Sequence, residues 1–230
     1  MTTLSLTSED EARAWLAAEI GADGAAMERL ERLVALLAQE NARQNLVSAA
    51  SMSAVWLRHI ADSAQLLRYV PRETSADAGA PVWLDLGTGA GFPGLVVAAL
   101  RPEMEVRLVE SRARRIEWLE YARSEMGLAR AKVIGQRLEL VPTEEVGVIS
   151  ARAFAPLDKL LTLSARFSTG RTIWLLPKGR SAAQELEALS TGGFGAKLGF
   201  EHQLRVEASL TDPEAGILVG QVIFRRGVKV

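Results

Sequence analysis

The stretch Leu84-Asp85-Leu86-Gly87-Thr88-Gly89-Ala90-Gly91-Phe92-Pro93-Gly94 decides how this chain folds. The apolar run at 82–86 leads into it and a helical pattern at 94–100 leaves it. Glycine adopts positive φ without penalty and lets a ligand approach the main chain closely. Pro93 suits a helix start, where its missing N–H has no partner to lose. Four glycines in the eight residues 87–94, between a strand and a helix, read as a ligand-binding loop.

Downstream of the loop, short β-branched runs recur at 106–109, 132–134, 146–150 and 172–176. Helical patterns fill most gaps, at 112–126 and 157–166, with 181–189 after the last; the gap 135–145 is short. Alternating strand and helix predicts a parallel sheet with crossover helices. The ending differs. Runs at 201–207 and 218–225 are separated by about ten residues holding Thr211, Asp212, Pro213 and Gly216, too few for a helical crossover, which predicts an antiparallel pair. The fold class expected is thus α/β, a Rossmann-like sheet of seven strands with its last pair antiparallel, over residues 80–230.

Upstream, Trp15, Leu16, Ile20, Met27, Leu30, Leu33, Val34 and Leu37 recur at helical spacing, with Glu28, Arg29, Glu31 and Arg32 opposite. A second pattern runs from Val55-Trp56-Leu57 through Ile60 to Leu66-Leu67, with Ser51 or Ser53 as its expected N-cap. The turn-rich segment 74–81 closes this part. Residues 1–75 therefore read as a helical extension packed on the core.

Composition narrows the chemistry. The 230 residues are 48% hydrophobic and 24% charged, as in ordinary globular domains. With no cysteine, disulfides, thiolate nucleophiles and Cys-based metal sites are excluded. The only histidines are His59 and His202, too few for a multi-histidine metal centre, and no metal is expected. No stretch approaches the roughly 20 apolar residues of a membrane span. The acidic N-terminus is unlike a signal peptide, which makes the cytoplasm the default location. Nothing demands a dimer, so a monomer is expected. Net charge is −1, split as −4 over residues 1–80 and +3 over the rest, so local patches matter more than the total.

Two ligands suit the loop. Gly89-x-Gly91-x-x-Gly94, with Glu110 at the end of the next strand, satisfies the dinucleotide fingerprint. A carboxylate there accepts from ribose hydroxyls, a need shared by NAD and S-adenosylmethionine; alternatively, Glu110 is a solvated residue beside a basic helix start. Asp85, just before the glycines, would repel a pyrophosphate but suit a cationic amino-acid end, or else cap the loop's own N–H groups. Asp85 and the antiparallel ending, which is that of methyltransferase sheets, favour S-adenosylmethionine. An NAD-dependent oxidoreductase is the alternative, and a donor-binding RNA regulator without catalysis is a third reading.

After the fourth strand the chain reads Ile149-Ser150-Ala151-Arg152-Ala153-Phe154-Ala155, without the acidic or amide residue and Pro-Pro-aromatic of adenine amino-methylases. Cytosine C5 methylation needs a cysteine. A ring nitrogen with a free lone pair, such as guanine N7, needs no proton removed, so a site with no general base suffices. Arg152 and Phe154 fall where substrate sits in such sheets, at the carboxyl end of a central strand. Arg152 can clamp a phosphate or stack on a base, and Phe154 can stack on one; a surface ion pair and core packing are the plain alternatives. Arg112, Arg114, Arg115, Arg123, Lys178 and Arg180 are candidates for phosphate contact, although 112–123 also reads as the solvated face of a helix.

Taken together, Asn45-Leu46, Arg58-His59-x-x-Asp62-Ser63, the loop 84–94, Ser150-Ala151-Arg152-Ala153-Phe154 and Leu176-Pro177-Lys178-Gly179 are a combination that resembles the bacterial small-subunit ribosomal RNA guanine-N7 methyltransferases, also called glucose-inhibited division protein B. The resemblance runs from Asn45 to the C-terminus. It implies an S-adenosylmethionine-dependent enzyme acting on a specific guanine N7 of 16S rRNA, within 30S or pre-30S particles. It also implies donor contacts at Gly87, Phe92, Leu138, Glu139 and Arg152, beside the Asp85, Gly89, Gly91 and Glu110 read above. The family often has an aliphatic residue where this chain has Phe92, and often lacks the alanine that stands here at Ala151. His59 and Asp62 belong to the pattern without a derivable role; a helix-packing hydrogen bond is the expectation.

Overall fold

A computed structural model describes residues 5–71, 81–191 and 200–224. Residues 74–80 of the expected turn-rich segment 74–81 and the last residue of the run 218–225 lie outside these.

The core is a sheet whose first strand, β1 (Trp83–Leu86), is buried along its whole length. β2 (Val106–Val109), β3 (Ala131–Ile134), β4 (Val148–Ala151) and β5 (Ile173–Lys178) complete the parallel part, ordered 3-2-1-4-5. Near-continuous apolar runs are what strands covered on both faces require. β1 and β4 are neighbours, and the chain leaves them toward opposite edges. The crevice at their carboxyl ends is the switch point where open α/β sheets bind ligands.

β8 (Gly216–Phe224) runs antiparallel to β5, from Ile173↔Gln221 to Lys178↔Gly216. Its other edge carries β6 (Phe200–His202) and β7 (Arg205–Ala208), both antiparallel. The antiparallel ending is therefore as expected, but the run 201–207 is two strands, making eight among the described residues. The cause is local. The break at Gln203–Leu204 faces Gly220, and a Cβ at 220 would strike the Gln203 carbonyl. The Gln203 N–H donates to the Gln221 carbonyl at 2.9 Å and holds the kink in place.

Between strands lie α5 (Gly94–Leu100), α6 (Ala113–Glu125), α7 (Leu157–Ser164) and α8 (Ala182–Thr191), close to the expected spans. The short gap after β3 holds one 3-10 turn, Leu138–Leu140. α5 is buried at every residue, because the N-terminal helices cover its outer side.

Those helices are α1 (Glu9–Trp15), α2 (Gly24–Gln44), α3 (Ala49–Met52) and α4 (Asp62–Ala64), with π-helical turns at Leu16–Ile20 and Trp56–Ala61. Leu30, Leu33, Leu37, Trp56 and Ile60 share one apolar cluster with Trp83, Leu95 and Leu108. The expected N-cap at Ser51 or Ser53 is replaced. Ser48 caps α3, its Oγ accepting from the Ser51 N–H at 3.1 Å. The turn Trp56–Ala61 begins under Glu9, whose carboxylate accepts from the N–H groups of Trp56 (3.1 Å) and Leu57 (2.8 Å). A carboxylate brought from α1 outcompetes a local hydroxyl at a helix start. Among the described residues no helix is long and apolar enough to cross a membrane.

Gly220→Ala is expected to lower unfolding free energy by about 1–3 kcal/mol, because the kinked edge must shift to admit a methyl group. Urea denaturation measures this; an unchanged midpoint would show that the edge has room.

Candidate functional site

The glycine loop is held from below by one buried carboxylate. Asp85 on β1 pairs in register with Ser150 on β4. Its Oδ1 accepts from Ser150 Oγ at 2.7 Å, and its Oδ2 accepts from the Gly94 N–H at 3.0 Å. Trp83 Nε1 donates to Ser150 Oγ at 2.8 Å and orients that hydroxyl toward the carboxylate. Burial pushes the Asp85 carboxyl up, and the hydroxyls of Thr88 and Ser150, the Gly94 N–H and the Arg152 charge oppose the rise. Asp85 thus braces the start of α5, as the capping alternative has it, and is not among the residues that line the two cavities described below.

Above the brace the loop turns through positive φ at Gly87, Gly89 and Gly91. A Cβ at Gly87 would run into the Phe154 ring, and one at Gly89 would sit 2.8 Å from Arg115 Nη1. Gly91 packs on Leu95 of α5 instead and faces no cavity.

A cavity of about 350 Å³ opens at the carboxyl ends of β1, β2 and β4. Gly87, Gly89 and Phe92 of the loop line it, together with Glu110 after β2, Leu138 after β3, and Arg152 and Phe154 after β4. Glu110 is buried, and its Oε1 accepts from the N–H groups of Ser111 (2.7 Å) and Arg112 (3.0 Å). These bonds fix the carboxylate and involve only one of its oxygens. Leu138 is held as an apolar wall by its 3-10 turn, its carbonyl taken by Arg166. Glu139 is exposed, pairs with Arg137 at 3.0 Å, and its side chain stays off the wall. Leu46, turned inward after the left-handed Asn45 that ends α2, adds an apolar contact from the N-terminal segment.

A second cavity of about 940 Å³ lies beyond β4 and β5. Phe154, Pro156, Leu157, Pro177 and Ile217 make much of it apolar, and Lys178 enters from the end of β5, paired to Glu185 at 2.8 Å. Arg152, Ala153 and Phe154 line both cavities, so the spaces meet at this segment. The proposed phosphate-binding residues separate. Arg112 and Arg115 stand at the smaller cavity and Lys178 at the larger. Arg180 is exposed and pairs with Glu214 outside both.

Arg152 is where the N-terminal helices reach the site. Its Nη1 lies 3.4 Å from Asp62 Oδ2, and its Nη2 3.2 Å from His59 Nδ1. Asp62 Oδ1 in turn accepts from Thr211 Oγ1 (2.8 Å) and Gln65 Nε2 (2.9 Å). The His59 ring stacks on Phe92, centroids 4.8 Å apart and planes inclined by 16°. A guanidinium has no acceptor, so His59 Nδ1 must accept and the ring proton sits on Nε2. That Nε2 is buried and has no partner among the described residues. Burial, then the charges of Arg152 and Arg58, lower the His59 pKa to about 3. The expected packing hydrogen bonds are present at Asp62, to Thr211 and Gln65, and both His59 and Asp62 also reach Arg152. The motif spacing placed both residues on one helical turn, but only the packing of that turn against β4 reveals what they hold.

Comparison with known proteins agrees with this fold. A sequence model of the family described as rRNA small subunit methyltransferase G matches residues 26–198. A protein named ribosomal RNA small subunit methyltransferase G, from Erythrobacter litoralis, is 56% identical over 216 residues, covering 94% of this chain and 97% of that one. Among solved structures, cofactor-bound Rv0187 from MTB superposes with a TM-score of 0.58 at 16% identity, covering 96% of this chain and 100% of that chain. A mutant of MtNAS in complex with S-adenosylmethionine superposes with a TM-score of 0.54 at 15% identity, covering 96% of this chain and 85% of the other.

Two stability measurements probe the site. Asp85→Ala leaves a buried hydroxyl and N–H without their acceptor and is expected to cost about 1–3 kcal/mol, read as a lower urea midpoint. For His59, the unfolded chain takes up a proton near pH 6.5 while the folded one resists it down to about 3. Protons therefore favour the unfolded state across that window, and stability falls on acidification below about pH 6.5. His59→Phe should lose this component, so wild type should lose stability relative to the variant as pH drops from 7 to 5; parallel curves would contradict it.

Proposed function

The chain belongs to the rRNA small subunit methyltransferase G family, and from that premise we propose that it transfers a methyl group from S-adenosylmethionine to N7 of a specific guanine in 16S rRNA. Its substrate is the 30S or pre-30S particle, and it works as a monomer in the cytoplasm. The observation that carries this reading is the shared wall Arg152-Ala153-Phe154, which joins a cofactor-sized cavity to a larger cleft. Methyl transfer from a sulfonium is an in-line displacement, and an enzyme contributes mainly by positioning two partners in a space closed to water.

The smaller cavity fits the donor. Its volume of about 350 Å³ lies in the usual range for small-ligand sites, about 300–1,000 Å³. Glu110 offers a fixed carboxylate for ribose hydroxyls, Leu138 an apolar wall for adenine, and Gly87 and Gly89 a backbone surface that side chains would fill. When bound, S-adenosylmethionine supplies a methyl group on a sulfonium sulfur. Phe92 lines this cavity, and Arg152 and Phe154 stand between it and the cleft, where the acceptor base enters and stacks on Phe154. Lys178 meets a neighbouring phosphate, with Arg112, Arg115 and Arg180 as outer contacts.

The state of His59 favours N7 as the acceptor. The one imidazole at the junction is held neutral with Nδ1 occupied, so it is a poor proton acceptor. Guanine N7 attacks with its own lone pair and leaves no proton to remove. A nicotinamide-dependent reaction does not fit membership of this family, and the regulator reading differs from ours only in predicting no transfer.

Tritiated S-adenosylmethionine, incubated with wild-type protein and 30S particles from a strain lacking the enzyme, should label one guanine as N7-methylguanine in 16S rRNA. Glu110→Ala should weaken S-adenosylhomocysteine binding about tenfold or more, matching loss of a charged hydrogen-bond partner. Arg152→Ala should lose turnover far more than S-adenosylhomocysteine affinity. Wild-type behaviour in both variants would refute the site, and an unlabelled rRNA with S-adenosylhomocysteine still bound would refute the substrate.

A further inference from the structure

The chemistry of the junction bears on how guanine is told from adenine. Both purines carry an N7 lone pair, so reactivity at N7 alone does not choose between them. They differ at the adjacent position of the same edge, where guanine has the O6 acceptor and adenine the N6 amino donor. A residue beside the reacting nitrogen that offers only N–H donors accepts the first and repels the second.

Arg152 is such a residue. It lines both cavities, and its guanidinium carries five N–H donors and no acceptor. Left unrestrained, an arginine grips the O6 and N7 of guanine together, the commonest specific contact to that base. That grip would occupy the lone pair the reaction needs. Here the terminal nitrogens are each tied, Nη1 to Asp62 Oδ2 and Nη2 to His59 Nδ1. The ties are themselves anchored. Asp62 is held by Thr211 and Gln65, Gln65 Oε1 accepts from the Leu210 N–H at 2.8 Å, and His59 is stacked on Phe92. The guanidinium also lies over Phe92, 5.3 Å from the ring centroid. Its plane is therefore set by three side chains from the helical extension and the glycine loop, with N–H groups left over for a ligand.

We propose, building on the functional reading above, that Arg152 selects guanine by donating to O6 while leaving N7 free, and that His59 and Asp62 are positioning residues that prevent it from closing on N7. His59 does this only as the neutral Nε2–H tautomer, since a proton on Nδ1 would face the guanidinium with a second donor. Its ring also spans from Arg152 to Phe92, coupling the base-reading residue to the loop that lines the smaller cavity.

The test uses 30S particles reconstituted from ligated 16S rRNA that carries guanine, inosine or 2,6-diaminopurine at the methylated position. Inosine keeps O6 and lacks the 2-amino group; 2,6-diaminopurine keeps that group and replaces O6 with an amino group. With wild-type protein, kcat/KM for inosine should lie within a few-fold of guanine, and that for 2,6-diaminopurine should fall roughly 10- to 100-fold. His59→Phe preserves the stack on Phe92 but removes the acceptor for Nη2. It should shrink the guanine preference and lower kcat, with S-adenosylhomocysteine affinity and melting temperature near wild type. His59→Asn, which can restore an acceptor, should recover part of the preference. Equal use of guanine and 2,6-diaminopurine by wild type would overturn the proposal without any variant having to fold. So would rejection of inosine, or an undiminished preference in His59→Phe. No transfer to guanine itself would instead overturn the functional reading beneath it, and the proposal with it.

Discussion

The carboxylate of Asp85 ties together the parts of the molecule on which everything else is built. It joins β1 to β4 through Ser150 and fixes the first N–H of α5 through Gly94. Those are the two strands between which the chain reverses its direction of winding, so the bond stands directly beneath the ligand crevice. A buried carboxylate is costly unless its oxygens are satisfied, and here each oxygen has a dedicated donor. The cost of burial is thus turned into geometry, because the loop can take no other path without leaving that buried carboxyl without its partners. The positive-φ glycines, the seat of Phe92 and the approach of Phe154 to Gly87 all follow from where this brace puts the loop.

Two cavities with a common wall are what a two-substrate reaction without covalent catalysis needs. The smaller presents fixed polar groups and the larger a mostly apolar cleft with a half-buried lysine at its edge. Residues 152–154 separate them, and their backbone is unusual, since Ala153 adopts a positive φ of 52°. A non-glycine residue in that region is uncommon and is kept where the surrounding structure demands it. At this position it lets Arg152 and Phe154, two residues apart, both face the junction.

The N-terminal helices complete the site as well as covering the sheet. Their apolar faces merge with the sheet's own cluster, and their π-helical turn at Trp56–Ala61 carries His59 to the glycine loop. A π turn admits an extra residue per turn and shifts the direction of the side chains beyond it, a feature frequent at functional sites. Glu9 on α1 caps that turn, so even the first helix contributes to the placement of His59. Resemblance to a family marked His59 and Asp62 as members of a motif, yet their partner lies 93 and 90 residues away and no local pattern points to it.

Some of this was legible in the chain itself. The alternation of strand and helix, the glycine loop and the antiparallel ending follow from periodicity and turn chemistry, which are properties of near neighbours. So does the place of Glu110, since a residue at the end of the second strand has few positions open to it. What the tertiary structure decided are the matters that depend on register between distant segments. Asp85 is a brace because β1 pairs with β4 so that it faces Ser150, 65 residues on. The edge strand breaks because Gly220 on its neighbour leaves room for the Gln203 carbonyl. Arg152 is held because a turn ninety residues earlier packs against the end of β4. Each depends on which side chains are brought within hydrogen-bond reach. That is settled by the packing of whole elements, after local sequence has determined what those elements are.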